Sequence, residues 1–189
     1  AQRGFSGHQF QPGGYQAPAS IAMLPYLVSS VGFIIAFMLQ YGVVSRSTML
    51  SGAADLLLLF IAAWSLHEHN KRMWVLILIF AAFVSFVSAT PFFVSIFVYL
   101  GIFLLSKYLN TWVWQTPLLA MFLLTFVGTL FQHIVYLAVL WVNQAQFDWA
   151  TAFSNVTLPT ILLNMLLAIP VHALVHEMAR SVYPTGLEP

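Results

Sequence analysis

The segment PLLAMFLLTFVGTLFQHIVYLAVLWV, residues 117–142, contains no Asp, Glu, Lys or Arg. As an α-helix it would be about 39 Å long, enough to cross a bilayer hydrocarbon core of about 30 Å. Similar apolar segments recur between residues 21 and 183, and only 6% of the chain is charged while 61% is hydrophobic. Soluble domains carry roughly a quarter charged residues. The sequence therefore predicts an all-α, polytopic membrane protein.

Short polar segments separate six apolar stretches, each a predicted transmembrane helix. We expect these six helices to form a bundle. These spans are residues 21–44, 49–66, 73–89, 92–109, 117–142 and 159–183. A Gly-, Gln- and Pro-rich segment, residues 1–19, precedes this domain and is predicted to be a flexible arm. The transmembrane domain covers residues 20–184, and a short tail, 185–189, follows it.

Composition excludes several classes of function. The chain has no Cys and a formal net charge of +1, so it offers neither a thiolate site nor a basic surface for nucleic acid. It contains no G-x-S-x-G motif, Gly-rich phosphate loop or dense carboxylate pair. We therefore expect a protein that is not an enzyme and that needs no cofactor.

Asp55 is a carboxylate in the first half of the second predicted span. Because a charge at membrane depth is costly, it requires an explanation. It could be an interface-level or helix-start charge, paired with Arg46 or close to the lipid headgroups. The alternative is a buried site for a proton or an ion.

Three uncharged polar residues, Gln132, His133 and Asn164, lie within the fifth and sixth predicted spans. Polar groups in this setting usually hydrogen-bond across helices, with an average contribution of about 0.6 kcal/mol. A polar substrate pocket is the functional alternative.

Near the end of the last span, His172, His176 and Glu177 form an H-x-x-x-H-E pattern. Two His four residues apart share a helix face, but the metalloprotease motif H-E-x-x-H places its Glu after the first His. A composite metal site with His67, Glu68 and His69 is the alternative to interfacial caps and salt bridges with Arg180 or Lys71. We expect no metal.

Small residues at helical spacings, including Gly32, Ser88 and Gly128, permit close helix approach. We expect these positions to serve in helix packing or in docking a partner.

Several segments resemble the MreD family, the small membrane subunit of the bacterial rod-shape machinery. They are GAADLLLLF at 52–60, FLLSKYLN at 103–110, the W-x-x-P-L-L pattern beginning at Trp114, and LPTILLN at 158–164. The resemblance extends over about residues 21–183. At residues 86–91 the chain lacks the Asp of the Gly-Leu-Leu-x-Asp type of segment that the family commonly shows.

The resemblance implies a non-catalytic scaffold in the bacterial inner membrane. MreD-like proteins associate with MreC, a bitopic protein with a periplasmic coiled coil and β-domain. Through MreC they connect to RodA, a class B penicillin-binding protein and cytoplasmic MreB filaments, which links cell shape to peptidoglycan synthesis.

A second family also has six helices with both termini inside: the substrate-binding S components of energy-coupling-factor vitamin transporters. A midplane pocket with convergent polar groups would favour this alternative. Only the predicted outer loop 143–158 could cover such a ligand, so the sequence favours the scaffold.

Lys and Arg are unevenly distributed between the two sides of the predicted bundle. Arg46 lies on one side, and the other side carries Arg3, Lys71, Arg72, Lys107 and Arg180. The positive-inside rule therefore places both termini in the cytoplasm.

A single Cys introduced at His69 should not react with an impermeant maleimide added from outside. Labelling of intact cells at this position would contradict the topology.

Overall fold

The computed structural model of the chain describes residues 19–42, 52–66, 73–88, 91–112 and 116–182. About 91% of these residues are helical, and they include no strand. The elements are α1 (Ala19–Gly42), α2 (Leu56–Leu66), α3 (Met73–Val87), α4 (Phe92–Trp112), α5 (Pro117–Val142), α6 (Trp149–Ala152), a π-helical segment (Phe153–Thr157) and α7 (Leu158–Val182). Since α6, the π-helical segment and α7 are continuous, the described residues form six helical rods. The predicted all-α class is confirmed.

Four of the rods have the length and apolar composition needed to cross a membrane. They contain Met23–Gly42, Phe92–Leu109, Pro117–Val142 and Trp149–Val182. The other two helices, Leu56–Leu66 and Met73–Val87, are apolar but shorter. At 1.5 Å per residue, the 11 residues of α2 extend only about 16 Å.

The centre of the bundle is α2, which packs against α1, α4, α5 and α7. Nine of its eleven residues are buried, from Leu57 to Ser65. Its apolar character is therefore explained by protein contacts on all sides rather than by contact with lipid. The remaining helices surround it, with α3 packed chiefly against α4.

The second predicted span differs most from the structure. Residues 49–66 were expected to be helical, but residues 52–55 are not, and α2 begins only at Leu56. In this segment, side chains of other helices bind the backbone in place of helical hydrogen bonds.

The predicted outer loop, residues 143–158, is also largely helical. Asp148 caps its first turn, because its carboxylate Oδ2 accepts a hydrogen bond from the backbone N–H of Thr151 at 2.8 Å. The Thr151 hydroxyl donates to the same oxygen at 2.6 Å. These bonds lower the pKa of the exposed Asp148 carboxyl. The cap starts a helical run that continues into α7, so this run begins well before the predicted sixth span.

The hydroxyl of Ser85 connects the end of α3 to the start of α4. Ser85 donates its Oγ hydrogen towards the carbonyls of Ala81 and Phe92, each at 2.8 Å. The second contact crosses from α3 to the start of α4, where Pro91 precedes the first helical residue. The predicted break between the third and fourth spans is therefore present, although α3 ends at Val87 and α4 extends to Trp112.

Two of the small residues selected from the sequence lie at contacts between helices of the chain. A Cβ at Gly32 would lie 2.5 Å from Met178 Cε and 2.7 Å from the Phe60 ring. At Gly128 the nearest atom would be 3.4 Å away, on Ile102. Both glycines therefore serve packing within the bundle. Ser88, the third candidate, is half-buried directly after α3.

Gly52 packs closely against the first turn of α7. A Cβ at this position would lie 2.7 Å from Pro159 Cβ and 2.8 Å from the Thr160 backbone nitrogen. The backbone of a helix cannot move aside to relieve such a contact, whereas the end of a flexible side chain can. The segment preceding α2 therefore requires glycine here.

Gly52→Ala should destabilise the protein by about 1–3 kcal/mol, the usual cost of overpacking. Gly128→Ala is the matched control, since its new methyl group would make ordinary contacts and Ala favours a helix by about 1 kcal/mol. Thermal unfolding in detergent measures both. Equal unfolding temperatures for the two variants would contradict the close contact at Gly52.

Candidate functional site

A cluster of polar side chains surrounds the start of α2. We call residues 52–55 the α2 lead-in. Its backbone is bound by side chains from α1 and α7, and the carboxylate at its end is bound by α5. Non-helical backbone within a membrane is tolerated where protein groups satisfy its hydrogen bonds. The cluster therefore stabilises the non-helical backbone at the start of α2.

Asp55 ends the lead-in and caps α2. Its Oδ1 accepts a hydrogen bond from the Leu58 backbone N–H at 2.9 Å, and its carbonyl accepts one from the Leu59 N–H at 3.1 Å. The partial positive charge at a helix N-terminus favours a carboxylate in this position. Asp55 is thus the helix-start charge that the sequence allowed. Its proposed partner Arg46 lies outside the described residues.

Gln40, on α1, pairs with the backbone around Asp55. Its Nε2 donates to the Ala54 carbonyl at 2.9 Å, and its Oε1 accepts from the Leu56 N–H at 2.8 Å. Both the donor and the acceptor of the Gln40 amide are hydrogen-bonded to the backbone. This side chain therefore holds α1 against the start of α2.

Asn164, on α7, connects three elements and is fully buried. Its Oδ1 accepts a hydrogen bond from the Asp55 backbone N–H at 2.7 Å, and its Nδ2 donates to Thr129 Oγ1 on α5 at 3.0 Å. One turn earlier, Thr160 Oγ1 accepts from the Ala53 N–H at 3.3 Å. These bonds fix α7, α5 and the lead-in relative to one another.

Gln132, on α5, binds the Asp55 side chain directly. Its Nε2 lies 2.6 Å from Asp55 Oδ2 and 3.2 Å from the hydroxyl of Tyr136. Its Oε1 is buried and has no hydrogen-bond partner. Gln132 lies ten residues before the end of α5, which corresponds to roughly 15 Å along the helix. The contact therefore lies near the middle of α5.

Three tyrosines are near enough to Asp55 to interact with it electrostatically. They are Tyr41 on α1, Tyr99 on α4 and Tyr136 on α5. Tyr99 is buried. The environment of the carboxylate thus combines neutral amides and hydroxyls from several helices.

His133 makes a separate contact. Its Nδ1 lies 3.1 Å from Thr157 Oγ1 in the π-helical segment. This bond joins α5 to the segment that leads into α7. It does not belong to the hydrogen-bonded group around Asp55.

The structure thus brings together three of the four polar candidates, Asp55, Gln132 and Asn164, and places His133 beside them. The sequence pattern did not identify Gln40, Thr129, Thr160 or the tyrosines. A signal was present for some of them, because Thr125, Thr129, Gln132 and Tyr136 recur at spacings of three or four on one face of α5. Gln40 had no such signal.

The H-x-x-x-H-E pattern does not form a metal centre within the described residues, which contain no group of three or more His, Cys, Asp and Glu suited to a metal. The rings of His172 and His176 are 6.2 Å apart, centroid to centroid. Glu177 pairs with Arg180 at 3.3 Å on the exposed surface. The alternative ligands His67 and His69 lie outside the described residues.

Neither a scan against models of protein families nor searches among curated proteins and solved structures found a match.

Asn164→Leu should destabilise the protein by about 1–3 kcal/mol, because it leaves the Asp55 N–H and Thr129 without their partner in a buried setting. Asn155→Leu is the matched control, since Asn155 is exposed and contacts Ser154 at 3.4 Å. The thermal unfolding temperature in detergent is the measurement. A loss at Asn155 as large as that at Asn164 would contradict the assignment.

Proposed function

We propose that the chain is a non-catalytic membrane scaffold similar to MreD, which holds an MreC-like bitopic protein in the bacterial inner membrane. Through that partner it would help to link cytoplasmic MreB filaments to RodA and a class B penicillin-binding protein. The resemblance of the segments at 52–60, 103–110 and 158–164 supports this assignment.

The observation that carries the proposal is how the side-chain amides around the start of α2 are hydrogen-bonded. Gln40 and Asn164 bind the backbone of the chain itself, and Asn164 also binds Thr129. Hydrogen bonds of this kind fix the positions of α1, α5 and α7 around α2. A fixed arrangement of helices is what a scaffold requires, whereas a transport site needs free polar groups.

The outer faces of the long helices support the same function. Large apolar residues are exposed at helical spacing along α1 and α7, among them Leu27, Val31, Leu162 and Leu166. In lipid, helices associate through close packing rather than through a hydrophobic force. Such faces suit a single-span partner helix.

The test is recovery of the MreC-like protein encoded in the same genome when the two chains are co-expressed. Val31→Trp, Leu104→Trp, Leu123→Trp and Leu166→Trp each enlarge one exposed position on a different helix. At least one variant should reduce partner recovery about tenfold, equivalent to about 1.4 kcal/mol, at unchanged membrane abundance. The variants on the other faces are its controls.

Two results would refute the scaffold: no recovery of the partner with the wild-type chain, or equal recovery with an unrelated six-span protein.

A vitamin-binding S component is the second candidate. One observation favours it: Thr125 Oγ1 and Gln132 Oε1 are buried without a hydrogen-bond partner, as groups awaiting a ligand would be. Saturable binding of a vitamin by the purified chain, without partner recovery, would replace the scaffold by the transporter.

A further inference from the structure

The hairpin of α3 and α4 has a shorter apolar length than α5 beside it. α3 has 15 residues, Met73–Val87, and extends about 22 Å. On α4 the first charged residue is Lys107, 15 residues after Phe92, which is again about 22 Å. α5 has 26 residues without a charge and extends about 39 Å. Since a bilayer core is about 30 Å thick, the hairpin is about 8 Å too short to cross it.

Polar and amphipathic side chains mark one end of the hairpin. Lys107 Nζ lies 5.3 Å from the centroid of the Phe103 ring, one turn closer to the middle of α4. The side chain therefore points towards the apolar part of the helix, whereas a snorkelling lysine would point away from it. Trp74 and Tyr108 lie at the same end and are 48% and 61% exposed, as is typical of aromatic residues at headgroup level. The polar boundary of the bilayer must therefore come in at least as far as Lys107.

The turn between the two helices marks the other end. Ser88 and Pro91, on either side of this turn, are not helical. Phe86 and Phe93 are 80% and 69% exposed, so the turn lies at the surface of the bundle. Irregular backbone that is exposed to lipid does not occur within the hydrocarbon core. The turn must therefore lie at headgroup level, which leaves about 22 Å of hydrocarbon between it and Lys107.

The outer face of α3 is apolar along its whole length. α3 packs chiefly against α4, and Trp74, Ile79, Phe83 and Phe86 are exposed on it. A span shorter than the hydrocarbon core is accommodated when the bilayer thins, when flanking side chains snorkel, or when the protein oligomerises. The inward direction of Lys107 excludes snorkelling there, and its ammonium suits a lipid phosphate better than the apolar face of another helix.

We propose that the α3–α4 hairpin is a lipid-facing edge at which the phospholipid bilayer is thinned to about 22 Å, with headgroups drawn in to the level of Lys107. The bilayer would keep its ordinary thickness along α5. This inference does not depend on the scaffold proposal.

The test compares positions on α4 and α5 that lie at the same level of the bundle. A Cβ at Gly128 would contact Ile102, and the two helices are antiparallel. Leu104 is therefore level with Phe126, and both are exposed. Because the chain has no Cys, a nitroxide can be attached to a single introduced Cys at each position. Electron paramagnetic resonance in dioleoyl phosphatidylcholine nanodiscs gives its depth, from collisions with oxygen and with a water-soluble nickel chelate.

The label at Leu104→Cys should lie about 4 Å nearer the headgroups than the label at Phe126→Cys, which is half of the mismatch of about 8 Å. A second pair near the turn, Phe93→Cys and Ala138→Cys, should show a difference in the same sense. Thinning brings both α4 labels nearer to the headgroups. A rigid tilt of the bundle would instead bring one of them nearer and take the other deeper.

Lys107→Leu should reduce the difference at Leu104→Cys, because the apolar length of α4 then extends to Leu109. Arg180→Leu is the matched control and should leave the difference unchanged, since it removes an exposed charge from α7. Longer acyl chains, in dierucoyl phosphatidylcholine, should increase the difference, and shorter ones, in dimyristoleoyl phosphatidylcholine, should reduce it. The paired depths test the edge even if Lys107→Leu does not fold.

Any of three results would refute the thinned edge. The first is equal depth within both pairs of labels. The second is a difference of opposite sign in the two pairs, which would show a tilted bundle in a flat bilayer. The third is a label at Leu104→Cys that neither oxygen nor the nickel chelate reaches, which would show that a second copy of the chain covers the hairpin.

Discussion

The arrangement of the bundle depends on the hydrogen bonds to the backbone between Ala53 and Leu56. In lipid, water cannot satisfy an exposed N–H or carbonyl, so each unpaired group costs several kcal/mol. A chain segment that leaves the helical conformation at this depth must find partners in other helices. Gln40, Thr160 and Asn164 supply them. The positions of α1 and α7 follow from this requirement.

The same requirement explains why α2 is short and central. α2 has only 11 residues because the helix begins after the non-helical lead-in. The polar backbone of the lead-in has to be enclosed on all sides. The helix that follows it is accordingly buried from Leu57 to Ser65. A lipid-facing helix could not have begun in this way.

The coarse architecture could be predicted from the sequence, because an apolar segment of about 18 or more uncharged residues is long enough to cross a bilayer and is rare in soluble proteins. The prediction was wrong at residues 52–55, where contacts with other helices, and not the local hydrophobic pattern, determine the backbone conformation. Because of the leucines at 56–59, residues 49–66 have the hydrophobic pattern of one continuous span. Residues 52–55 are nevertheless not helical, because side chains of α1 and α7 bind the backbone there, and the sequence pattern carries no sign of these contacts. Gln40 was missed because hydrophobic patterns carry no information about partners when almost every helix face is apolar. Asp55 and Asn164 were found because polar residues at membrane depth are costly.

Hydrogen bonding and charge distinguish the two kinds of polar residue in this bundle. Gln40 and Asn164 are neutral, and both ends of each amide are paired within the chain, so holding the helices together accounts for them fully. Asp55 caps α2 through Oδ1, which accepts a hydrogen bond from the Leu58 N–H, and its Oδ2 accepts one from the Gln132 amide. The Gln132 Nε2 donates to this carboxylate, whereas its Oε1, at the other end of the amide, is buried without a hydrogen-bond partner. Hydrogen bonds within the chain therefore account for Gln40, Asn164 and both oxygens of the Asp55 carboxylate, and among these groups only the Gln132 Oε1 is left unpaired.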